Sequence, residues 1–428
     1  MSISLQKPLI LPCGARLTNR LAKAAMTEGL ADSMNRATAE HQHLYRRWAE
    51  NDFGLMLTGN IQVDRRHLER PGNIAIDNNG GLEELRALAS IGTRNGAHFW
   101  AQLNHPGRQT PASINPKPLA PSAISLPMAE AGCGQAQAMT GAQIKDVIQR
   151  FVHAAAVCRD AGFTGIQIHA AHGYLFSQFL SPLANHRTDE WGGPLENRVR
   201  LLLETVRAVR ASVGEDFPIS VKLNSADFQR GGFSEDESMQ VVRWLGEERI
   251  DLLEISGGNY EQMSMVGLGR DESARPMAAS TAAREAYFFD YAQKVRAQSD
   301  VPVMITGGMR SSRAMNEVLE SGDCQIIGLA RPLCTHPDSF GRDLLAGRLS
   351  EIPALDRHLA LQRDALGPDI DDQTFKRIES FGLLSWFCLQ LKRIGEGEES
   401  NPELTVFDAL LTYKQNETTA AAAWSRPM

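Results

Sequence analysis

The chain has 428 residues, a formal net charge of -7, 43% hydrophobic residues and 22% charged residues. This composition is typical of a soluble enzyme and excludes a disordered or fibrous chain. The slight acidic excess gives no positive field for nucleic acid or an anionic membrane, so we expect a small-molecule substrate and neither of those partners.

The cysteines are scattered along the chain. None of the six forms a C-x-x-C pair, so the usual ligand spacing of a zinc ribbon or an iron–sulfur cluster is missing and we predict no metal. No apolar run approaches the roughly 18 residues that a spanning helix needs. We therefore expect reduced thiols, a cytoplasmic location and no membrane span.

Short apolar runs alternate with longer segments of helical period. The runs are apolar almost throughout, which is typical of strands covered on both faces. Eight such runs occur, at residues 21–26, 53–60, 98–105, 165–170, 218–224, 251–258, 301–308 and 324–331. Their alternation with helices predicts an α/β fold, most economically a (β/α)8 TIM barrel. An open doubly wound sheet is the alternative, but the first run lacks the G-x-G-x-x-G turn.

Two of the connecting segments show recognisable helix ends. Thr140 and Gln143 form a capping-box pattern, and Gly162 closes the helix that it opens. A second helix is predicted to begin near Pro194 and to stop at Gly214. Its predicted buried face consists of Val199, Leu202, Leu203, Val206 and Val209.

Two regions do not fit the barrel repeat. The predicted barrel domain comprises residues 1–348. Within it, the segment 107–139 is too long for a simple connection between a strand and a helix, so we expect an ordered loop or small hairpin that caps the barrel mouth. Residues 349–428 form a predicted C-terminal helical extension, a lid or a subunit contact, whose last stretch, 416–428, is expected to fray. The helical spacing there is carried by Phe381, Leu384, Phe387, Cys388 and Leu391.

The last two apolar runs end in small residues. They close with Gly307 and Gly308, and with Ala330 and Arg331. Barrels commonly bind phosphate through backbone N–H groups at these positions. Glycine pairs also form ordinary tight turns, but two such ends on neighbouring strands favour a phosphate site.

The most specific chemical feature follows the fourth run. His169, His172 and Tyr174 stand in the sequence HAAHGY. Two imidazoles can bind one carbonyl oxygen, and a phenol with a pKa of about 10 can act as a general acid at neutral pH. A metal site would need a third ligand, and the alternative that these are satisfied turn residues is disfavoured at a strand end.

Gln102 and Lys222 end the third and fifth runs and are expected to point into the same mouth. Taken singly, each is typical of an ordinary barrel rim. A carboxamide offers a donor and an acceptor to a heterocyclic edge, and an ammonium offers a positive charge. With the phosphate site they describe a pocket for flavin mononucleotide (FMN).

These motifs resemble the old yellow enzyme family of flavin-dependent oxidoreductases over about residues 5–345. The most specific match is HAAHGYLFSQFLSPLANHRTDEWGGPLENRVR, supported by LTNRLAKAAMTEG, AQLNHPGR and VKLNSADF. The resemblance implies an FMN-bearing barrel that takes hydride from NADPH or NADH and reduces an activated C=C bond. It also implies N5 hydride transfer to the β-carbon and proton transfer to the α-carbon.

The resemblance assigns the site residues by matching position. The flavin ring would be contacted by Ala25, Met26, Thr27, Gly59, Gln102 and Lys222, and its phosphate by Gly307, Gly308, Ala330 and Arg331. His169 and His172 would bind the substrate carbonyl, Tyr174 would protonate the α-carbon, and Asn104 would help to set substrate size. The chain departs from the family pattern at Lys222, Ala25 and Ala330, where arginine, proline and glycine are usual. The iron–sulfur members of the family are excluded by the missing cysteine cluster.

The sequence is also compatible with three other functions. A flavin enzyme could work in the oxidative direction as a dehydrogenase or demethylase. A non-redox lyase or isomerase could use Lys222 as a Schiff-base amine on a bound phosphate substrate. A protein that only stores or senses flavin would need no paired histidines. A homodimer or higher homo-oligomer is possible.

Overall fold

The structure is a computed structural model that describes residues 4–126, 132–256, 287, 289–307, 309–353, 358–367 and 370–427. In chain order its strands are β1 (Leu9–Ile10), β2 (Arg16–Leu17), β3 (Leu21–Lys23), β4 (Leu55–Gln62), β5 (His98–Asn104), β6 (Leu119–Ala120), β7 (Gln137–Ala138), β8 (Gly165–Ala170), β9 (Ile219–Asn224), β10 (Leu252–Ser256), β11 (Val303–Thr306) and β12 (Ile326–Leu329).

Eight of these strands close into a parallel barrel in the order β3-β4-β5-β8-β9-β10-β11-β12. The barrel is closed by β12 and β3, where Ile327 pairs with Leu21. Each predicted apolar run contains one barrel strand, and β4 extends two residues beyond its run. The prediction of a (β/α)8 TIM barrel is confirmed. The hairpin of β1 and β2 closes the opposite end from the mouth, where Leu9 and Leu17 pack against the strand starts.

The helices surround the barrel and continue beyond it. In chain order they are α1 (Ala39–Ala49), α2 (Leu82–Gly92), α3 (Gly141–Ala161), α4 (Leu175–Leu180), α5 (Leu195–Arg198), α6 (Arg200–Val213), α7 (Glu235–Glu247), α8 (residues 289–296), α9 (Ser312–Glu320), α10 (Phe340–Leu345), α11 (Asp372–Gly395) and α12 (Val406–Ala423). Among the described residues, no helix has the length and apolarity to cross a membrane.

The first of the two helices with predicted ends was located correctly. The capping box of Thr140 with Gln143 opens α3, and Gly162 ends it in a left-handed conformation. The prediction of a single helix after Pro194 is wrong, since α5 ends at Arg198 and Val199 separates it from α6, which stops before Gly214 as predicted. The predicted apolar face is nevertheless buried throughout.

The contact between β3 and α1 contains a fully buried lysine. Lys23 Nζ donates hydrogen bonds to the carbonyl oxygens of Ala24 and Leu57, at 3.0 and 2.7 Å. It also lies 4.3 Å from the ring centroid of Trp48 on α1. Burial lowers the pKa of Lys23 to about 8, an effect that the nearby Glu28 carboxylate opposes.

The free energy of unfolding should therefore rise between about pH 8 and pH 10.5, and Lys23→Met should abolish this rise. In that window the unfolded chain still holds the lysine proton that the folded chain has lost, so raising the pH favours the folded state. At about 1.4 kcal/mol per pKa unit, the gain is on the order of 3 kcal/mol. Urea denaturation of both proteins across this pH range measures the difference, and equal slopes would contradict the account.

The long loop after β5 is ordered over most of its length. A short 3-10 helix at Gly107–Gln109 begins it, and the strands β6 and β7 pair within it. Because β6 and β7 run parallel, the alternative of a small hairpin is wrong. Residues 127–131 lie outside the described part.

The C-terminal extension consists mainly of α11 and α12, which pack on each other, while α11 also packs on α1. Phe387 and Leu391 of the predicted apolar stripe are buried, and Trp386 is fully buried beside them. The domain boundary at 348 and a role for the extension as a lid stay predictions.

The prediction that residues 416–428 fray is wrong over most of that stretch. Helix α12 continues to Ala423. Trp424 is then buried against Leu68, and its Nε1 donates to Asn35 Oδ1 at 2.9 Å. The alanine-rich composition gave no sign that one tryptophan would anchor the end of the chain on the loops beyond β3 and β4.

Candidate active site

The predicted site residues lie at the carboxyl ends of the barrel strands or directly after them. This placement follows from parallel pairing, which brings all eight strand ends to one mouth. His169 ends β8 beside Lys222 of β9, its partner in the strand register. Gln102 of β5 pairs in the same way with Gln167 of β8.

His169, His172 and Tyr174 form one aromatic cluster. The ring of His169 makes edge contacts with His172 and Tyr174, with centroid distances of 5.0 and 4.9 Å. Tyr174 is 1% exposed and His169 is 3% exposed. The turn that joins them requires His172 to adopt a positive φ of 61°, which is uncommon for a residue with a side chain. The structure thus brings together the three residues that the motif predicted.

Both histidines are held in their neutral form. Burial lowers the pKa of His169 well below its ordinary value, and His172 and the Lys222 charge add to the effect. Burial and the Lys222 charge also lower the pKa of His172 well below its ordinary value. Backbone N–H of Ala171 donates to His169 Nδ1 at 3.2 Å, which assigns the ring proton to Nε2. Neutral imidazoles can each donate one hydrogen bond without bringing a charge into the site.

Two side chains from neighbouring strands fix His172. Asn224 Oδ1, at the end of β9, accepts a hydrogen bond from the His172 backbone N–H at 3.2 Å. Ser256 Oγ, at the end of β10, lies 2.6 Å from His172 Nε2. These contacts hold the strained turn in place and orient the imidazole.

Below the mouth, a buried polar network crosses the barrel. Gln102 Nε2 donates to Gln167 Oε1 at 2.6 Å, and Gln167 Nε2 donates to Glu254 Oε2 at 2.9 Å. Glu254 is 0% exposed and forms a salt bridge with Lys222 at 3.0 Å. Thr306 Oγ1 donates to the same carboxylate at 2.7 Å. An amine in this salt bridge is not presented as a nucleophile, which disfavours the Schiff-base hypothesis.

A second polar cluster lies on the other side of Tyr174. Thr27 Oγ1 donates to Glu69 Oε2 at 3.1 Å, and Asn60 Nδ2 donates to the same oxygen. The Glu69 carboxylate also lies close to the Tyr174 hydroxyl, and Asn60 Nδ2 lies 3.4 Å from that hydroxyl. Thr27 therefore has a carboxylate partner that the sequence did not indicate.

Gly59 lies where the ends of β3 and β4 approach closely. A Cβ at this position would lie 2.4 Å from the carbonyl oxygen of Met26 and 2.2 Å from Glu28 Oε2, so only glycine fits. Ala25 and Met26 are partly exposed at the mouth. Their contact with a flavin ring stays a prediction, as it does for Gly59.

The predicted phosphate site lies at the ends of β11 and β12, which pair through Thr306 and Gly328. Gly307 is exposed and has a φ of 112°, and no heavy atom of the described residues lies within 4 Å of the position of a Cβ. Ala330 and Arg331 are partly exposed, and a 3-10 helix begins at Arg331. Gly308 lies outside the described residues.

Asn104 is fully buried on β5, and its Nδ2 lies 3.4 Å from Gln62 Oε1. The Asn104 Oδ1 atom is buried and has no hydrogen-bond partner in the part of the chain that the structure describes. The Asn104 side chain is therefore not exposed to a substrate at the mouth in this structure. A role in setting substrate size stays a prediction.

A group of titratable side chains outside the mouth, Asp64, His67 and His105, has ligand atoms close enough for a metal ion. However, Arg66 Nη2 lies 2.8 Å from Asp64, and His67 uses both ring nitrogens, one toward Asp64 and one toward the Leu119 N–H. Burial alone would raise the pKa of Asp64, but hydrogen bonds from His67 and Arg66 hold it well below its ordinary value. These contacts engage Asp64 and His67 within the protein, and the absence of a metal stays a prediction.

Sequence reasoning missed the polar partners of the site, which are Gln167, Glu254 and Glu69. Gln167 and Glu254 are polar residues flanked by apolar residues in the middle of the runs GIQIHA and DLLEISGG. A polar residue facing the barrel interior would have been a usable signal for them. Glu69 stands in a loop of ordinary composition, where the sequence gives no comparable signal.

Comparisons with known proteins agree with this geometry. The sequence profile of the NADH:flavin oxidoreductase / NADH oxidase family matches residues 4–343. The NADH-dependent flavin oxidoreductase nadA of Aspergillus parasiticus is 36% identical over 356 residues, which cover 79% of this chain and 78% of that protein. The NADH-dependent flavin oxidoreductase iliE of Neonectria sp. is 35% identical over 351 residues, but the chain spans only 46% of its length. An old yellow enzyme homologue from Zymomonas mobilis shares the fold, with a TM-score of 0.67 at 23% identity, over 82% of this chain and 95% of that one.

Proposed function

We propose that this chain, which belongs to the NADH:flavin oxidoreductase / NADH oxidase family, reduces the C=C bond of an α,β-unsaturated carbonyl compound. The chain is an NAD(P)H-dependent flavin oxidoreductase of the old yellow enzyme type, and it uses FMN. When bound, FMN would supply the hydride chemistry that connects NADH or NADPH with the β-carbon of the substrate. The observation that carries the proposal is the aromatic cluster in which the neutral His169 imidazole contacts both the Tyr174 phenol and the neutral His172 imidazole.

The residues at the mouth fit an FMN molecule. Because Gln102 donates its amide N–H to Gln167, its carbonyl oxygen remains to accept from the imide N–H of the ring. Lys222 is the cation that would face the negative charge of the reduced ring. The open space beside Gly307 lets backbone approach a phosphate. Ala25, Met26, Thr27, Gly59, Ala330 and Arg331 would complete this set.

The histidines would bind the substrate carbonyl oxygen. Negative charge collects on that oxygen as the β-carbon is reduced, so neutral N–H donors at His169 and His172 stabilise the transition state more than the ground state. Their neutrality matters, because a protonated imidazole beside Lys222 would be disfavoured in so buried a site. Ser256 and Asn224 keep the His172 donor aimed.

Tyr174 would then deliver its hydroxyl proton to the α-carbon. A phenol with an ordinary pKa of about 10 keeps its proton at neutral pH and is acidic enough to protonate an enolate carbon. Delivery from the side opposite to the hydride gives a formal trans addition. The proposed substrate is a small molecule, and the proposed assembly is a homodimer or higher homo-oligomer.

The position of two isotopic labels tests the reaction. Turnover of 2-cyclohexenone in H₂O with NADH that carries deuterium at the transferred hydride position should place deuterium at the β-carbon of cyclohexanone. Unlabelled NADH in D₂O should place it at the α-carbon. If the enone is not consumed while oxidised enzyme is bleached by a saturated ketone or an amine, the oxidative direction is correct and the proposal is wrong.

A further inference from the structure

The most notable group that the proposed reaction leaves without a task is Glu69. This carboxylate lies in the loop after β4, at the mouth of the barrel. It accepts hydrogen bonds from Thr27 and Asn60, and the same Asn60 Nδ2 lies 3.4 Å from the Tyr174 hydroxyl, which faces the carboxylate. A carboxylate that lies beside the proposed proton donor and shares a partner with it is placed to exchange protons with it.

Tyr174 needs such a neighbour because it is buried. Its side chain is 1% exposed, and the rings that surround it include His169, which is itself 3% exposed and neutral. Glu69, in contrast, is partly exposed. Glu69 therefore lies between the buried phenol and the surface of the protein.

We propose that Glu69 is a proton relay that reprotonates Tyr174 from solvent. The inference rests on the proposed function, because it assumes that Tyr174 is the donor. As the phenol O–H bond breaks and the α C–H bond forms, the carboxylic acid of Glu69 gives its proton to the phenolate oxygen. The resulting carboxylate takes a proton from water, so each turnover moves one proton from solvent to product and leaves both side chains as they began.

The surroundings of Glu69 favour this transfer. Burial raises the pKa of Glu69, although the hydrogen bond from Asn60 and the charge of Arg70 oppose the shift. A carboxyl group with a raised pKa is still a stronger acid than a phenol, so the transfer to the phenolate is downhill. Above that pKa the carboxyl is ionised and cannot act as donor.

Other charged and titratable groups face Glu69 from several elements. Arg70 is its neighbour in the loop and pairs with Glu417 of α12, while its guanidinium lies 4.9 Å from the ring of Tyr413. Burial raises the pKa values of Cys388 on α11 and of Tyr413, so both stay neutral at ordinary pH. Glu69 is thus the carboxyl group of this cluster that lies beside Tyr174, and its pKa is raised by burial.

The test compares wild type, Glu69→Gln and Glu69→Asp in the two anaerobic half-reactions. Reduction by NADH should be unchanged within about twofold in both variants. Reoxidation by 2-cyclohexenone should fall with increasing pH in wild type, and should be about tenfold slower at pH 6 and independent of pH in Glu69→Gln. Glu69→Asp should restore the pH dependence. Adding Glu69→Gln to Tyr174→Phe should cause no further loss, because the relay acts through Tyr174.

A second readout needs no turnover. Infrared difference spectra of the oxidised protein should show a carboxylic acid C=O band that titrates above the ordinary glutamate pKa in wild type and is missing in Glu69→Gln. Wild-type rates and pH dependence in Glu69→Gln, or equal losses in both half-reactions, would overturn the relay while leaving Tyr174 as donor. If the enone does not reoxidise even the wild-type flavin, the proposed function itself fails and the relay falls with it.

Discussion

Replacing Tyr174 with phenylalanine should slow reoxidation of the reduced enzyme by an enone by about 10²- to 10⁴-fold, the usual contribution of a general acid. Reduction of the oxidised enzyme by NADH should change by less than about threefold, because hydride transfer to the flavin involves no proton from this phenol. Stopped-flow absorbance of the flavin measures both half-reactions separately. Packing should be little affected, because phenylalanine keeps the edge contact with His169.

The control for this variant is Tyr287→Phe. Tyr287 also donates its hydroxyl to polar partners, Ser225 and Glu235, but its ring packs against Phe228 and Tyr291. It should leave both half-reactions near wild type. If Tyr174→Phe lost both half-reactions equally, the tyrosine would be a structural or flavin-binding residue and its role as proton donor would be wrong.

Replacing Glu254 with glutamine should destabilise the fold by about 3–5 kcal/mol, the usual cost of removing one partner from a buried ion pair. Glu254 is 0% exposed and accepts hydrogen bonds from both Gln167 and Thr306 while it pairs with Lys222. Glutamine would leave the lysine charge unpaired and would turn an N–H donor toward another donor. Urea denaturation with flavin content matched measures the loss.

The double variant Glu254→Gln/Lys222→Met separates charge from packing. Removing the stranded cation should recover more than half of the lost stability, although it should weaken flavin binding. A Glu254→Gln protein that unfolds at the wild-type urea concentration would show that the network is not a stabilising element. In that case the salt bridge would serve only to place Lys222.

The barrel could be predicted from sequence because its signals are local. Each strand is an apolar run of a few residues, and the ends of α3 are set by Thr140 and Gly162 within its own segment. The site motif is local as well, since one turn after β8 carries His169, His172 and Tyr174. Parallel pairing then places these residues at a common mouth without further information.

The missed features depend on contacts between distant segments. Glu69 and Tyr174 are 105 positions apart, and nothing in either segment indicates that their side chains meet. Trp424 is anchored by Asn35 at a separation of 389 residues, which composition alone cannot show. The parallel pairing of β6 with β7 likewise depends on how the loop crosses itself.

The most direct test of the central claim is an anaerobic titration of the purified protein, first with NADH or NADPH and then with an enone. The visible absorption spectrum is recorded after each addition. The account predicts a yellow protein whose flavin band is bleached by NADH or NADPH and recovers on addition of 2-cyclohexenone. Bleaching without recovery would contradict the proposed reduction of enones. A protein that stays colourless after incubation with FMN would contradict the assignment of Gln102, Lys222 and Gly307 to a flavin site.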